Sequence, residues 1–370
     1  MQKRVAFIVG TLQTGGIERT VTDWCLYLKA NTTWEPMIIC LLKRNGPFLD
    51  ILEKNGIIVK ECKVHQRGFT IRLKRLLQEL NPDVVHSQVA FSMPWQVLGI
   101  LWSGSRRIIF TQQNEYQNWN PLMARLRLRL YFLIFFPFID QYTCVSERVK
   151  DSLSALSGKS PHQFLVIPNS VNTDIFFPDP EKREQQRLQL KVEPSTFLAG
   201  MVARFSIQKG HQYLIEAIRM LKEKKVEGKF LLVGVGDLEN EIHALVKQYG
   251  LSEDVLFYGQ ATAVNHLLQA LDCFILSSLW EGMPLALLEA MASGVPVIAT
   301  DVAGTREVLK HQENGILIPS RSPESIVEAF VQLKESPELR KKLSQQALTF
   351  IREKYSVEAN MKVYISLYES

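Results

Sequence analysis

Glu281 and Glu289 bracket the first half of the segment Trp280-Glu281-Gly282-Met283-Pro284-Leu285-Ala286-Leu287-Leu288-Glu289-Ala290-Met291-Ala292-Ser293-Gly294-Val295-Pro296. Pro284 suits the first turn of a helix, and Gly294 followed by Pro296 ends it. That helix is apolar except for Glu289, whose carboxylate must be paired or hydrogen-bonded once buried. At its start the backbone N–H groups around Met283 to Leu285 lack helical partners and form an anion site that needs no metal. A second element, Gly200-Met201-Val202-Ala203-Arg204-Phe205-Ser206-Ile207-Gln208-Lys209-Gly210, leaves a buried strand and enters a helix carrying two cations. Cations fixed where a phosphate departs stabilise the charge gathering on it, a single such donor being worth ~3–4 kcal/mol. By themselves an Arg and a Lys beside a strand end are more often a solvated loop. Joined to the glutamate segment, they make a phosphate cradle flanked by carboxylates, which suits a sugar nucleotide.

The glutamate segment resembles the signature of the retaining GT-B glycosyltransferases of family 4, Glu, seven residues, Glu. The likeness continues through Thr300-Asp301-Val302-Ala303-Gly304-Thr305-Arg306-Glu307 and Asn314-Gly315. The resemblance implies that Glu281 meets the donor sugar's hydroxyls and Glu289 the ribose. It assigns the diphosphate to Arg204, Lys209 and the backbone of Gly282, Met283, Pro284 and Leu285. Leu231-Leu232-Val233-Gly234-Val235-Gly236-Asp237 resembles the turn lying against the nucleotide base, which brings in Gly234. Phe257-Tyr258-Gly259-Gln260 is similar to the strand end that meets that base, which brings in Tyr258. Uracil is the base expected from the family. Gly10-Thr11-Leu12-Gln13-Thr14-Gly15-Gly16-Ile17-Glu18-Arg19 resembles the N-terminal Gly-Gly loop, with Gly16 closing it near the donor phosphates. Taken alone, those glycines equally serve a tight strand-to-helix turn.

The first half departs from the family at two positions. Gln113, in Thr111-Gln112-Gln113-Asn114, stands where relatives often place histidine, and His86-Ser87-Gln88 stands where His-x-His is common. Glutamine hydrogen-bonds a sugar hydroxyl but relays no proton near neutral pH. A retaining transfer in which the departing phosphate takes the acceptor's proton tolerates that loss. His86 is left as an acceptor-side candidate or a structural histidine. Asn169, in Ile167-Pro168-Asn169-Ser170-Val171, matches the family's interdomain Pro-Asn segment, with Ser170 in place of its usual glycine.

No Asp-x-Asp pair occurs and the seven histidines are dispersed, so no metal-ligand spacing exists and metal independence is expected, with no cofactor. A glycosidase is disfavoured on geometry, because the two glutamates would stand ~12 Å apart along a continuous helix. Retaining hydrolases need carboxyls ~5 Å apart and inverting ones ~6.5–9.5 Å. There is neither a Gly-x-Ser-x-Gly elbow nor a Walker loop.

Strand-like runs alternate with helical patterns throughout the 370 residues, which argues for parallel sheets in two domains. The fold class expected is α/β, GT-B, two Rossmann-like domains facing a central cleft. Residues 1–175 would form the acceptor-binding domain and 188–355 the nucleotide-sugar domain. The polar, proline-broken stretch from Asn172 to Arg187 would be the linker. By resemblance, the last helix (about 356–370) packs back on the first domain. Five scattered cysteines read as reduced, buried thiols in the cytosol. No apolar run is long enough to span a membrane, so a cytoplasmic protein is expected, peripheral on the inner face of the cell membrane.

Residues 1–175 carry 21 Lys and Arg against 13 Asp and Glu, whereas the remainder carries 22 against 25, so the first domain is the one suited to an anionic partner. Within it, Met123 to Phe138 sets arginines into an aromatic-rich apolar run. Such a run either lies in a membrane interface or turns its leucines to the core and its arginines to water. The charge excess favours the interface. No nucleic-acid motif appears. The partners expected are a nucleotide-sugar donor, a glycan or lipid-linked acceptor and an anionic membrane surface. The activity expected is hexosyl transfer in envelope polysaccharide or lipopolysaccharide assembly. A sugar-nucleotide epimerase or phosphorylase and a non-catalytic binding subunit stay open as alternatives.

Overall fold

The computed structural model describes residues 2–13, 15–89, 94–113 and 122–370, with the side chains of 122–125 outside that set. Thr14, Asn114 and the side chains of Met123, Ala124 and Arg125, which figure in the motifs above, therefore lie outside the described residues. The chain divides into two compact units, Met1–Asn169 with Val357–Ser370, and Ser170–Ser356.

The first unit is built on a seven-stranded parallel sheet. Its strands are β1 (Lys3–Val9), β2 (Trp34–Cys40), β3 (Ile58–Glu61), β4 (Val84–Ser87), β5 (Arg107–Gln112), β6 (Gln141–Cys144) and β7 (Phe164–Val166), in the order β3-β2-β1-β4-β5-β6-β7. Central β1 is apolar and buried from Val5 to Val9, as a parallel strand covered on both faces must be. Helices α1 (Gly16–Asn31) and α2 (Pro47–Lys54) lead from β1 to β3. Helices α3 (Phe69–Leu80), α4 (Pro94–Leu101), α5 (Leu122–Phe135) and α6 (Glu147–Ser157) lead the opposite way, from β3 to β7. Parallel crossovers are right-handed, so the two sets cover opposite faces of the sheet. The last helix, Val357–Glu369, joins the α1 side. Its Val357, Met361, Tyr364 and Tyr368 share one core with Phe7, Trp24 and Trp34.

The second unit holds six parallel strands, ordered β10-β9-β8-β11-β12-β13. They are β8 (Leu198–Val202), β9 (Lys229–Val233), β10 (Val255–Gly259), β11 (Cys273–Leu276), β12 (Val297–Thr300) and β13 (Ile316–Ile318). In each sheet the order reverses once, at β1/β4 and at β8/β11. In open α/β sheets ligands bind outside the strand ends at such a reversal.

The stretch expected as a linker is instead part of the second unit. Residues 180–189 form a helix, α7 (Pro180–Gln189), with Asp179 capping Lys182 N–H at 3.0 Å. Arg183 and Arg187 reach Asp272 at 2.6 and 3.2 Å, and Asp272 also accepts from Leu198 N–H at 2.8 Å. Its polar composition conceals two arginines that tie α7 to the start of β8 and β11.

Candidate functional site

Glu281 follows β11 and is 5 % exposed. Its Oε1 accepts from Lys209 Nζ at 2.5 Å and from Ser278 Oγ at 2.6 Å, while Gln208 Nε2 stands 3.5 Å from Oε2 and 3.0 Å from the Trp280 carbonyl. A carboxylate so removed from water needs this compensation. Lys209 is delivered by the turn after β8. There Gly210 adopts φ +63°, and a Cβ on it would stand 2.3 Å from the Ser277 carbonyl. The Ser277 hydroxyl donates to the Lys209 and Gly210 carbonyls at 3.2 and 3.1 Å, so the ends of β8 and β11 are locked together at the reversal.

Arg204 lies at the same strand end and contrasts with Lys209. It is exposed and makes no ion pair with a described residue. Gly234 and Gly236, after β9, bring a second backbone against this turn. A Cβ on Gly234 would meet the Ala203 carbonyl at 2.1 Å, and one on Gly236 the Phe205 carbonyl at 2.4 Å and Arg204 Cγ at 2.9 Å. Glycine is required there because the chains touch. Tyr258, on β10, is half-exposed at a register shift between Phe257 and Gly259.

Helix α8 runs from Leu285 to Ala292, with Pro284 at its N-cap rather than inside its first turn. The N–H groups of Gly282, Leu285 and Ala286 donate to no acceptor among the described residues. Gly282 and Met283 are buried in the turn before the helix. A Cβ on Gly304 would stand 2.3 Å from the Gly282 carbonyl, so the loop after β12 closes over this turn. Glu289, on α8, is 8 % exposed. Because the helix begins only at Leu285, Glu281 lies outside it. The separation of the two glutamates expected from a continuous helix therefore does not apply.

In the first unit, Gly16 is the exposed first residue of α1, and Thr11 Oγ1 donates to the Glu18 carboxylate at 3.2 Å across the Gly-Gly loop. His86, at the end of β4, is fully buried, so the acceptor-side contact expected of it does not suit its place in the fold. Its Nδ1 lies 2.8 Å from Tyr368 Oη, and its Nε2 lies 2.7 Å from Thr111 Oγ1 and 2.9 Å from Gln88 Nε2. It stacks on Trp24, and burial pushes its pKa down to about 3. A neutral, enclosed imidazole cannot collect a proton from a bound hydroxyl. Gln113 Nε2 donates to Gln88 Oε1 at 2.7 Å, which extends the network to the end of β5. Asn169 is buried at the last residue of the unit's main segment. The sequence reading missed Ser278, Gln208, Thr111 and Tyr368. Ser278 and Gln208 could have been suspected from their places beside Glu281 and Lys209, whereas nothing local marks Tyr368.

The model of the Glycosyltransferase Family 4 domain matches residues 14–175, and that of Glycosyl transferases group 1 matches residues 182–350. The chain belongs to the family 4 glycosyltransferases and has the GT-B fold. Its relatives include the UDP-Gal:alpha-D-GlcNAc-diphosphoundecaprenol alpha-1,3-galactosyltransferase of Escherichia coli, 25% identical over 83% of this chain and 81% of that protein. The lipopolysaccharide core biosynthesis mannosyltransferase LpsB of Rhizobium meliloti is 28% identical over 60% of this chain and 66% of its own length. Among solved structures, Anabaena Alr3699/HepE in complex with UDP and glucose superposes with a TM-score of 0.84 at 18% identity, covering 98% of each chain.

Proposed function

We propose that this glycosyltransferase moves a hexose from a UDP-linked donor to a glycan or lipid-linked acceptor, with retention of configuration and without a metal, in envelope polysaccharide or lipopolysaccharide assembly. The observation that carries the reading is the charge arrangement at the β8/β11 reversal: a buried Glu281 held by Lys209 and Ser278, beside an exposed Arg204 that pairs with no described carboxylate. The E. coli and Rhizobium relatives and the Anabaena UDP complex support the donor class and the pathway.

Arg204 and the Gly282–Leu285 backbone would hold the diphosphate, and Lys209 would sit between it and Glu281. Glu281 would then orient the sugar while Lys209 neutralises both anions. Glu289 would take the ribose, and Gly234 and Tyr258 would border the base. In the transfer the bond from the anomeric carbon to the diphosphate oxygen breaks, its electron pair going to the phosphate. The acceptor oxygen bonds to the same face, and its proton passes to that phosphate oxygen. No histidine is needed, consistent with the enclosure of His86. Gln113 and Asn169 would contact the acceptor side. Cations and helix N–H groups replace a divalent ion in stabilising the leaving group.

Thermal-shift screening against a panel of nucleotide sugars tests the donor. A UDP-hexose is expected to raise Tm, with EDTA leaving subsequent transfer unchanged. A shift with other nucleotides alone would overturn the base assignment. Binding without transfer or slow donor hydrolysis would identify a non-catalytic subunit.

A further inference from the structure

We propose that the helical layer containing α4 and α5 is the surface by which this protein docks on an anionic lipid bilayer. Its purpose rests on the lipid-linked acceptor proposed above, but its substance is a set of side chains that reading does not use. On α5, Leu128, Tyr131 and Phe132 face inward, against the ring cluster of Phe136, Tyr142 and Phe164. Leu126, Leu130, Leu133 and Ile134 face outward, at 62%, 55%, 66% and 49% exposure, and Phe138 just beyond the helix is 60% exposed.

At 100° per residue those four outward side chains fall within one arc of about 100°, with Arg129 on one flank and Arg127 on the other. Both arginines are exposed. A water-facing helix carries polar residues in that arc. An apolar arc edged by cations fits an acyl boundary below and phosphates beside it, with the arginine stems lying along the apolar surface. The inward-packed reading accounts for Leu128, Tyr131 and Phe132 and leaves the opposite arc without a partner among the described residues.

The same layer carries a second apolar site. Trp95 of α4 and Trp102 just after it are 65% and 54% exposed and border one shallow hollow with Ile71 of α3. Tryptophan favours the headgroup level, where its ring is half in lipid and half in water. Charge selects the partner. Helices α3, α4 and α5 carry six Lys or Arg in sequence against Glu79 alone, so the layer complements an anionic leaflet. No helix among the described residues is long and apolar enough to cross a membrane, which leaves interfacial docking as the mode.

The test is co-sedimentation of the full chain with phosphatidylglycerol-containing and pure phosphatidylcholine vesicles, without nucleotide. The wild type is expected on the anionic vesicles, released by salt, with its tryptophan emission shifted to the blue. Leu130→Glu with Leu133→Glu should weaken binding at least ~100-fold. Arg127→Gln with Arg129→Gln should weaken it roughly 30-fold on anionic vesicles and leave phosphatidylcholine unaffected. Retention of the UDP-hexose thermal shift in both variants separates lost docking from lost folding. If the wild type shows no such shift, the donor reading fails while the vesicle result stands. Equal sedimentation with both vesicle types would overturn the proposal, as would unchanged binding by the glutamate variant. A wild-type dimer that this variant makes monomeric, with vesicle binding intact, would assign the face to a second copy of the chain.

Discussion

At the β1/β4 reversal the first unit holds an uncharged network: His86, Gln88 and Gln113 joined to Thr111 and Tyr368. At the corresponding β8/β11 reversal the second unit holds Lys209, Glu281 and Arg204. One sheet architecture thus presents two kinds of chemistry at the same topological position. Neutral amides and hydroxyls recognise other hydroxyls, and buried neutral groups cost little when mutually hydrogen-bonded. Fixed charges suit a diphosphate, and their burial is tolerated only because carboxylate and ammonium compensate one another.

The contrast within the second unit gives the largest expected effect. Arg204→Ala and Lys209→Ala should each lower transfer from a labelled nucleotide sugar by ~10²–10³-fold. Their stabilities should differ. Arg204→Ala should stay within ~0.5 kcal/mol of wild type in urea melts, as an exposed side chain without an ion pair among the described residues. Lys209→Ala strands a buried carboxylate and should cost about 3 kcal/mol. Lys209→Met combined with Glu281→Gln should recover most of that stability and none of the activity. Recovered turnover in the double variant would show that the pair is structural and that Arg204 alone faces the diphosphate.

A smaller effect compares the buried histidines, one in each unit. Burial pushes both His86 and His211 down to about 3, and the Lys209 charge adds to the depression at His211. Between an unfolded value of ~6.5 and about 3, the unfolded chain binds protons that the folded chain refuses. Stability from each group is therefore complete above pH ~6.5 and is lost as pH falls toward 3, by up to ~1.4 kcal/mol per pH unit. His86→Gln should flatten that slope in pH-dependent urea melts, leaving the His211 part. The pH profile of kcat/KM should lack a limb near pH 6.5 that His86→Gln removes. Such a limb would restore His86 as a proton acceptor.

The strands were legible because a parallel strand covered on both faces is a continuous apolar run, as in Val5 to Val9 and Cys273 to Leu276. The motif glycines were legible too, since Gly210, Gly234 and Gly304 mark backbone contacts that leave no room for a Cβ. Helix α7 was not, because its run of charges looks solvated until Arg183 and Arg187 meet Asp272, nearly ninety residues away. The Lys209–Glu281 pair was hidden for the same reason. Each residue was identified, but local spacing does not reveal that a cation and a carboxylate 72 positions apart neutralise one another. His86 shows the converse, where a residue type suited to chemistry is consumed by packing.

The smallest effect concerns Tyr368, which joins the last helix to the neutral network. Tyr368→Phe keeps the ring contacts with Trp34 and Tyr364 but removes the hydroxyl 2.8 Å from His86 Nδ1. A buried ring nitrogen left without a partner costs about 1–2 kcal/mol, which urea melts can resolve. In the neutral imidazole one nitrogen carries the proton and the other accepts, so losing the Tyr368 partner favours the proton on Nε2. Nitrogen-15 spectra of histidine-labelled protein should then show His86 in one tautomer. Because Gln88 bridges Nε2 to Gln113, the glutamine amides would have to present their oxygens toward the histidine. If Gln113 contacts the acceptor, the variant should raise KM for acceptor a few-fold and leave kcat and donor KM unchanged. A uniform fall in all three, with no change in the His86 spectrum, would reduce Tyr368 to a core tyrosine and sever the network from the acceptor side.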